Sequence, residues 1–271
     1  SCAMTYAATE AAAQSGRPVE LYEFLNGVAA YRYTSSDGDV VYGGNTYSAA
    51  PISRGAVEAT SETARLALEI TCARDLPVLD LFAFAPPETV VSVTLRRLHA
   101  SDGEAITLWL GRILNVTLNN ASAAIHCESV YTSLKRVGLR RLYQKSCPHV
   151  VYGTGCGLAR STYKATKTVS AVSGTTITVG SIGVADGYYA GGYLEWTQSG
   201  VIHRRAIHSQ TGGGLVVSFP IPGITAGASV DIYPGCDHTL STCAGKFSNS
   251  LNYGGMPFFP TKNPFGGVAL Y

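Results

Sequence analysis

Four of the seven cysteines stand in two short-range pairs: Cys147 and Cys156 with eight residues between them, and Cys236 and Cys243 with six. Each pair lies beside glycines, in Tyr152-Gly-Thr-Gly-Cys-Gly157 and in Gly235-Cys-Asp. Cationic residues flank both, Arg140, Arg141 and Lys145 before the first and Lys246 after the second. Four thiolates on a dipositive centre leave a charge of about −2, which nearby cations and close backbone N–H groups can compensate. The local sequence therefore suits a buried four-thiolate metal site. The spacing is neither that of a zinc ribbon nor that of a ferredoxin, so zinc, an iron–sulfur cluster, two disulfides and unligated thiols all stay open; the wide gaps suit a four-iron cluster better than zinc. His149 and His238, each two residues beyond a cysteine, are read as solvent-facing or outer-sphere groups in preference to ligands. Cys72 and Cys127 sit in strand-like runs and read as core residues; Cys2 is assigned nothing.

Other chemistry is scarce. The chain has no serine nucleophile elbow, no His-Glu-x-x-His and no P-loop, and Gly153-x-Gly155-x-Gly157 is cysteine-bearing loop, not a dinucleotide fingerprint. His203-Arg204-Arg205 reads as a solvated face of an exposed strand. In the tail, Phe247 reads as packing over the cysteine site, whereas Tyr253, Phe258 and Phe259 are candidates for a subunit contact, since aromatics are enriched in interface cores.

The elements that must position these residues are mostly strands. An Ala-rich start, residues 1–16, reads as a short helix ending at Gly16-Arg-Pro18. From Val19 onward, alternating segments punctuated by Asn26-Gly27, Asp37-Gly38 and Gly43-Gly44 predict a meander. Alternation returns in 64–70, 90–98, 106–110 and 113–118 around Gly111, and 122–129, with a short helix over 76–85. The first, β-rich domain is placed at 17–135. After five cations (Lys135, Arg136, Arg140, Arg141, Lys145) comes the first cysteine pair. Short Val/Thr/Ile/Tyr strands then predict a small β-barrel or sandwich at 166–232, inserted between two cysteine-bearing stretches, 136–165 and 233–271, with short helices. The fold class is mainly β.

Composition narrows the function. Only 14% of the 271 residues are charged, hydrophobics reach 46%, and Gly (30) and Tyr (16) are abundant. A net charge of +2 is too small for a protein that grips phosphates by counterion release. No run of about 18 apolar residues predicts a membrane span, and the first residues, Ser1-Cys2-Ala3-Met4-Thr5-Tyr6, have neither the basic nor the apolar region of a leader.

Gly235-Cys-Asp-x₄-Thr-Cys243-x₃-Phe247-x-Asn249-x₂-Asn252-Tyr-x-Gly255-x-Pro257-x₂-Pro260 resembles the carboxy-terminal signature of a phage tail-hub family, the conserved phage BR0599 type, related to gene-transfer-agent hub proteins. Cys147 with Gly155-Cys-Gly157, and the weaker landmarks Tyr42-Gly-Gly-Asn-Thr-Tyr47, Gly111-Arg112 and Leu194-Glu-Trp196-x₂-Ser-Gly200, extend the likeness over most of the chain, and there is a distant similarity to lambda-type tail-tip protein L. Tyr253 stands where that family more often has Phe. The resemblance implies a β-rich hub domain and a structural [4Fe–4S] cluster on Cys147, Cys156, Cys236 and Cys243, with zinc as the alternative metal. It implies a non-enzymatic homotrimer in the virion of a long-tailed phage, assembled in the host cytoplasm between the distal tail protein and the central tip or fibre protein, with the tape measure protein a further neighbour. DNA would pass through its channel without specific binding. The rivals are an iron–sulfur redox protein and a disulfide-stapled β-sandwich binding module.

Overall fold

The computed structural model describes residues 6–11, 18–57, 67–83, 86–99, 104–135, 138, 141–198, 200–221 and 223–258. The chain divides into two compact units, Ser1–Arg136 and Val137–Tyr271. Cys2, Arg140, Phe259 and most of the expected amino-terminal helix lie outside the described residues; within them a helix α1 covers Tyr6–Glu10.

The first unit is a nine-stranded sheet. Its strands are β1 (Pro18–Asn26), β2 (Ala29–Thr34), β3 (Val40–Tyr42), β4 (Asn45–Ala49), β5 (Ile52–Arg54), β6 (Leu68–Ala73), β7 (Val91–His99), β8 (Ala105–Leu118) and β9 (Ser122–Ser129). They lie in the order β3-β4-β2-β1-β7-β8-β9-β6-β5, antiparallel except where β2 meets β4. Period-two side-chain alternation explains the layout, since one set of residues from each strand fills one core. Tyr22, Phe24, Val93, Leu95, Ile70, Cys72, Ile125 and Cys127 build the larger core. Leu21, on the other face of β1, packs with Tyr47 and Leu98. The same face buries Glu23, which accepts from Arg32 and Arg96, each at 2.8 Å. Cys72 and Cys127 are core residues as the sequence predicts, and burial pushes their thiols up to about 11 and about 12.

Two expectations are corrected here. Gly111 does not divide two strands; it lies inside β8, where a Cβ would stand 2.2 Å from the Trp109 ring and 2.1 Å from the Glu128 carbonyl oxygen. The glycine is a slot for a neighbouring indole. The helix expected over 76–85 is a shorter 3₁₀ turn, Pro77–Phe82, that puts Val78 and Leu79 into the core.

The second unit contains a closed six-stranded barrel, the barrel form of the expected inserted β unit. Its strands are β10 (Ala165–Ser173), β11 (Thr176–Val179), β12 (Tyr193–Gln198), β13 (Val201–Thr211), β14 (Gly214–Val217) and β15 (Ser229–Tyr233), ordered β10-β11-β14-β13-β12-β15. Its interior is filled by Val169, Ile177, Leu194, Ile207, Leu215 and Ile232, among others. The first and last strands pair, Ala165 opposite Ile232, so the chain enters and leaves the barrel at one place. His203-Arg204-Arg205 on β13 is not a solvated face. His203 stacks on Trp196 at 5.2 Å, the Arg205 guanidinium lies over the same indole, and Arg204 donates to Glu195 at 2.6 Å. Cross-strand partners on β12 take up charges that the sequence alone leaves facing water.

Candidate metal centre

The four paired cysteines all fall within the second unit, on the segments that precede and follow the barrel. The second pair is placed by local capping. Helix α2 (Leu240–Gly245) starts at Thr239, whose hydroxyl oxygen accepts from the Thr242 N–H. Asp237, next to Cys236, accepts from the Thr239 N–H and hydroxyl and from the Thr242 hydroxyl at 2.8–2.9 Å. Burial pushes the Asp237 carboxyl up, but these bonds outweigh it and hold the group below its ordinary range. The helix thereby presents Cys243, which is buried, on the turn after Cys236. The approach of this loop to the barrel needs glycine, because a Cβ on Gly235 would stand 2.1 Å from the Gly191 carbonyl carbon.

The first pair is held against the second by long-range backbone bonds. The Cys147 N–H donates to the His238 carbonyl at 2.9 Å, and the Tyr253 hydroxyl donates to the carbonyls of Lys145 (2.7 Å) and His238 (3.2 Å). Tyr152 donates to the Pro234 carbonyl at 2.8 Å and sits in an aromatic cluster with Tyr163, Tyr193, Tyr233 and Phe247. Phe247 is buried, as its sequence reading requires. The Tyr253 hydroxyl is engaged by its own chain on these two carbonyls. Phe258 is 92% exposed.

Three of the four sulfurs receive N–H donors. Gly254 N–H points at Cys147 Sγ (3.4 Å), His238 N–H at Cys236 Sγ (3.4 Å) and the Asn249 side-chain amide at Cys156 Sγ (3.6 Å). The Cys243 thiol instead donates to the Asn249 carbonyl at 3.2 Å. The thiols also sense one another: burial raises Cys243, and Cys236, Cys147 and Cys156 raise it further. For Cys236 burial is again the largest influence, the His238 N–H works against it, and Cys156 and Cys147 add to it. Lys246 reaches back over the Tyr188 ring, 4.4 Å from its centre, and donates to the Tyr188 and Gly235 carbonyls. Burial lowers its pKa while Cys236 and Asp237 favour its charged form.

Among the described residues no three His, Cys, Asp or Glu side chains stand close enough to grip one metal ion. Each of the six described cysteines is a free thiol. His149 is a wedge: its ring lies between Gly155 and Gly254, each of which leaves room for it only by lacking a Cβ. His238 adopts a left-handed backbone (φ 63°), which aims its N–H at Cys236, and its buried Nδ1 has no hydrogen-bond partner. Sequence reasoning names Lys246 as a flanking cation and His149 as a solvent-facing or outer-sphere group but misses Asn249, whose only signal is its place in the carboxy-terminal signature.

Residues 23–159 match the family described as baseplate hub protein, N-terminal attachment domain, which is just over half of the chain. The chain belongs to this baseplate hub family. Residues 187–263 match a second family, phage conserved hypothetical protein BR0599. The first match contains Cys147 and Cys156, the second Cys236 and Cys243. An uncharacterized protein of Xylella fastidiosa (strain 9a5c) is 29% identical over 184 residues, which are 62% of this chain and 38% of that protein. Among solved structures, a chain of the virion of a native gene transfer agent particle shares the fold with a TM-score of 0.76 over 98% of both chains, at 17% identity. Among the described residues no helix is long and apolar enough to cross a membrane.

Proposed function

We propose that this chain is a structural, non-enzymatic subunit of a phage baseplate hub, resident in the tail of the virion, whose two cysteine loops are closed by a [4Fe–4S] cluster. The family match supports the hub role, and the full-length likeness to a chain of a gene-transfer-agent virion supports its place in a tail. What supports the cluster is that the two cysteine loops, separated in sequence by an entire barrel, are hydrogen-bonded to each other through Cys147 and His238, with three of the four sulfurs facing N–H donors.

The donor set fits the group. An all-thiol site takes soft metals, and N–H groups aimed at sulfur offset the charge of a thiolate-bound cluster. A four-iron cluster spreads its thiolates more widely than one ion does, and the wide sequence gaps within each cysteine pair suit it better than zinc. When bound, the cluster supplies cross-linking, since a site closed by four thiolates leaves no position for substrate. The chain's own groups do the rest: Cys147, Cys156, Cys236 and Cys243 hold it, Tyr253 and the Cys147 N–H bring the loops together, and Lys246 lies beside the Cys236 loop. Binding energy at such a site becomes folding energy for the segments it joins. In the particle the subunit forms a trimer between the distal tail protein and the tip or fibre protein, near the tape measure protein, and lines a channel that DNA traverses without sequence-specific contact.

Anaerobic purification followed by iron and acid-labile sulfide assays tests the cluster. About four of each per chain is the expected result; one zinc per chain, or two disulfides by mass spectrometry, overturns it. Electron microscopy of an intact tail tests the trimer and its neighbours.

A further inference from the structure

Asn249 touches both cysteine loops at once. Its side-chain amide donates to the Cys156 carbonyl at 2.7 Å and reaches Cys156 Sγ at 3.6 Å. Its backbone N–H donates to the Cys243 carbonyl at 2.9 Å, and its own carbonyl accepts the Cys243 thiol at 3.2 Å. A carbonyl oxygen can only accept, so the atom facing Cys156 is the amide nitrogen. From the other side the amide oxygen accepts from Asn252 at 2.7 Å, which fixes the orientation. Ser248, just before it, takes a left-handed backbone (φ 50°) that turns the chain out of α2 toward the first loop.

The other N–H donors to sulfur, from Gly254 and His238, belong to the backbone. Among the described residues Asn249 supplies the one side-chain hydrogen bond to a thiol sulfur, and the residue spans the two pairs, its side chain on Cys156 and its backbone on Cys243. We infer that Asn249 is the positioning residue of the thiol site: it fixes the Cys156 loop against Cys243 before any metal arrives and directs its N–H at the Cys156 sulfur once the site is loaded. Only the second half rests on the metal reading above. A donor to sulfur stabilises added negative charge, so it favours the reduced form of a cluster and raises its potential.

The test uses the full chain as wild type, Asn249→Ala and Asn249→Asp, the last keeping the side-chain shape while removing the donor. Hydrogen exchange is first followed on reduced, metal-free protein. Exchange at the amides of Cys156 and Gly157, and in the 247–252 segment, rises about two- to tenfold in both variants, the loss of a single hydrogen bond, while β11 and β14 exchange as in wild type. Unchanged exchange in the 153–157 segment overturns the first half. Wild type and variants are then loaded with iron and sulfide, and their midpoint potentials compared. Both variants shift to lower potential, Asn249→Asp the more because it adds a negative charge; equal potentials in all three proteins overturn the second half. Should wild type take up no iron, the metal reading and the second half fall together, while the exchange data still decide the first half.

Discussion

The wedge at His149 gives a sharp prediction for Gly254→Ala. A Cβ there would lie 2.4 Å from His149 Nε2 and 2.6 Å from Cδ2, about 1 Å inside ordinary van der Waals contact. The ring cannot retreat, because the Gly155 backbone sits against its opposite edge, with a Cβ position only 2.4 Å from Nδ1. Overpacking of this kind costs about 1–3 kcal/mol, and a ring held on both sides belongs in the upper half, about 2–3 kcal/mol. For a folding unit of this size that is roughly 6–12 °C in melting temperature. Removing the wedge should remove most of the cost, so Gly254→Ala made in a His149→Ala background should destabilise by less than about 1 kcal/mol, a coupling of about 2 kcal/mol. Thermal unfolding of the four reduced, metal-free proteins by circular dichroism supplies the cycle. A Gly254→Ala protein melting within about 2 °C of wild type, or an undiminished penalty in the His149→Ala background, refutes the wedge.

Further outcomes follow from the same geometry. Glu195 accepts from Arg160 and Arg204, whose side chains are 40% and 35% exposed, so Glu195→Gln should cost about 1–2 kcal/mol by urea midpoint, not the 3–5 of a fully buried pair; a cost above about 4 would contradict this. Burial pushes Glu20 and Glu23 up, but hydrogen bonds from Arg54 and Tyr22 to the first, and from Arg96 and Arg32 to the second, leave both below the ordinary 4.5. Their folded values are depressed, so their stabilisation is full above about 4.5 and is lost as pH falls through the folded values. Melts followed by Trp109 fluorescence should therefore weaken on acidification below that point, less steeply in Glu23→Gln, and a first unit that gains stability in acid would sink the assignment. With thiols raised to about 11 and about 12, Cys72 and Cys127 are ionised at pH 8 in only about one molecule in a thousand and one in ten thousand. Iodoacetamide should label them only after denaturation, and rapid labelling of native protein would show that they are not packed as described.

The strands were legible because alternation is a one-dimensional signal. Leu68, Ile70 and Cys72 on β6 face the same core, and β9 runs over Ser122–Ser129 where the alternation places it. Gly111 was misread because an isolated glycine marks a turn only when nothing occupies the space above it, and the occupant here, the Trp109 ring, follows from three-dimensional packing. The same limit hid the charges of β13, whose aromatic and acidic partners come from the opposing strand β12. At the site, cysteines beside glycines announce themselves, whereas a lone Asn has no spacing rule. Asn249 acquires its role by meeting a residue 93 positions earlier, and the Tyr253 hydroxyl by reaching back 108 to the Lys145 carbonyl.

Because Ala165 and Ile232 are paired neighbours, the whole barrel hangs from the cysteine-bearing segments by a gap of one strand spacing, about 5 Å. It behaves as a cassette. Evolution or an engineer can lengthen its hairpins, exchange it for another closed module or shorten it to a single turn, and the two anchor points keep their separation. Variation in length among hub chains of this kind should therefore collect between those two residues, leaving the thiol-bearing loops free to keep their register.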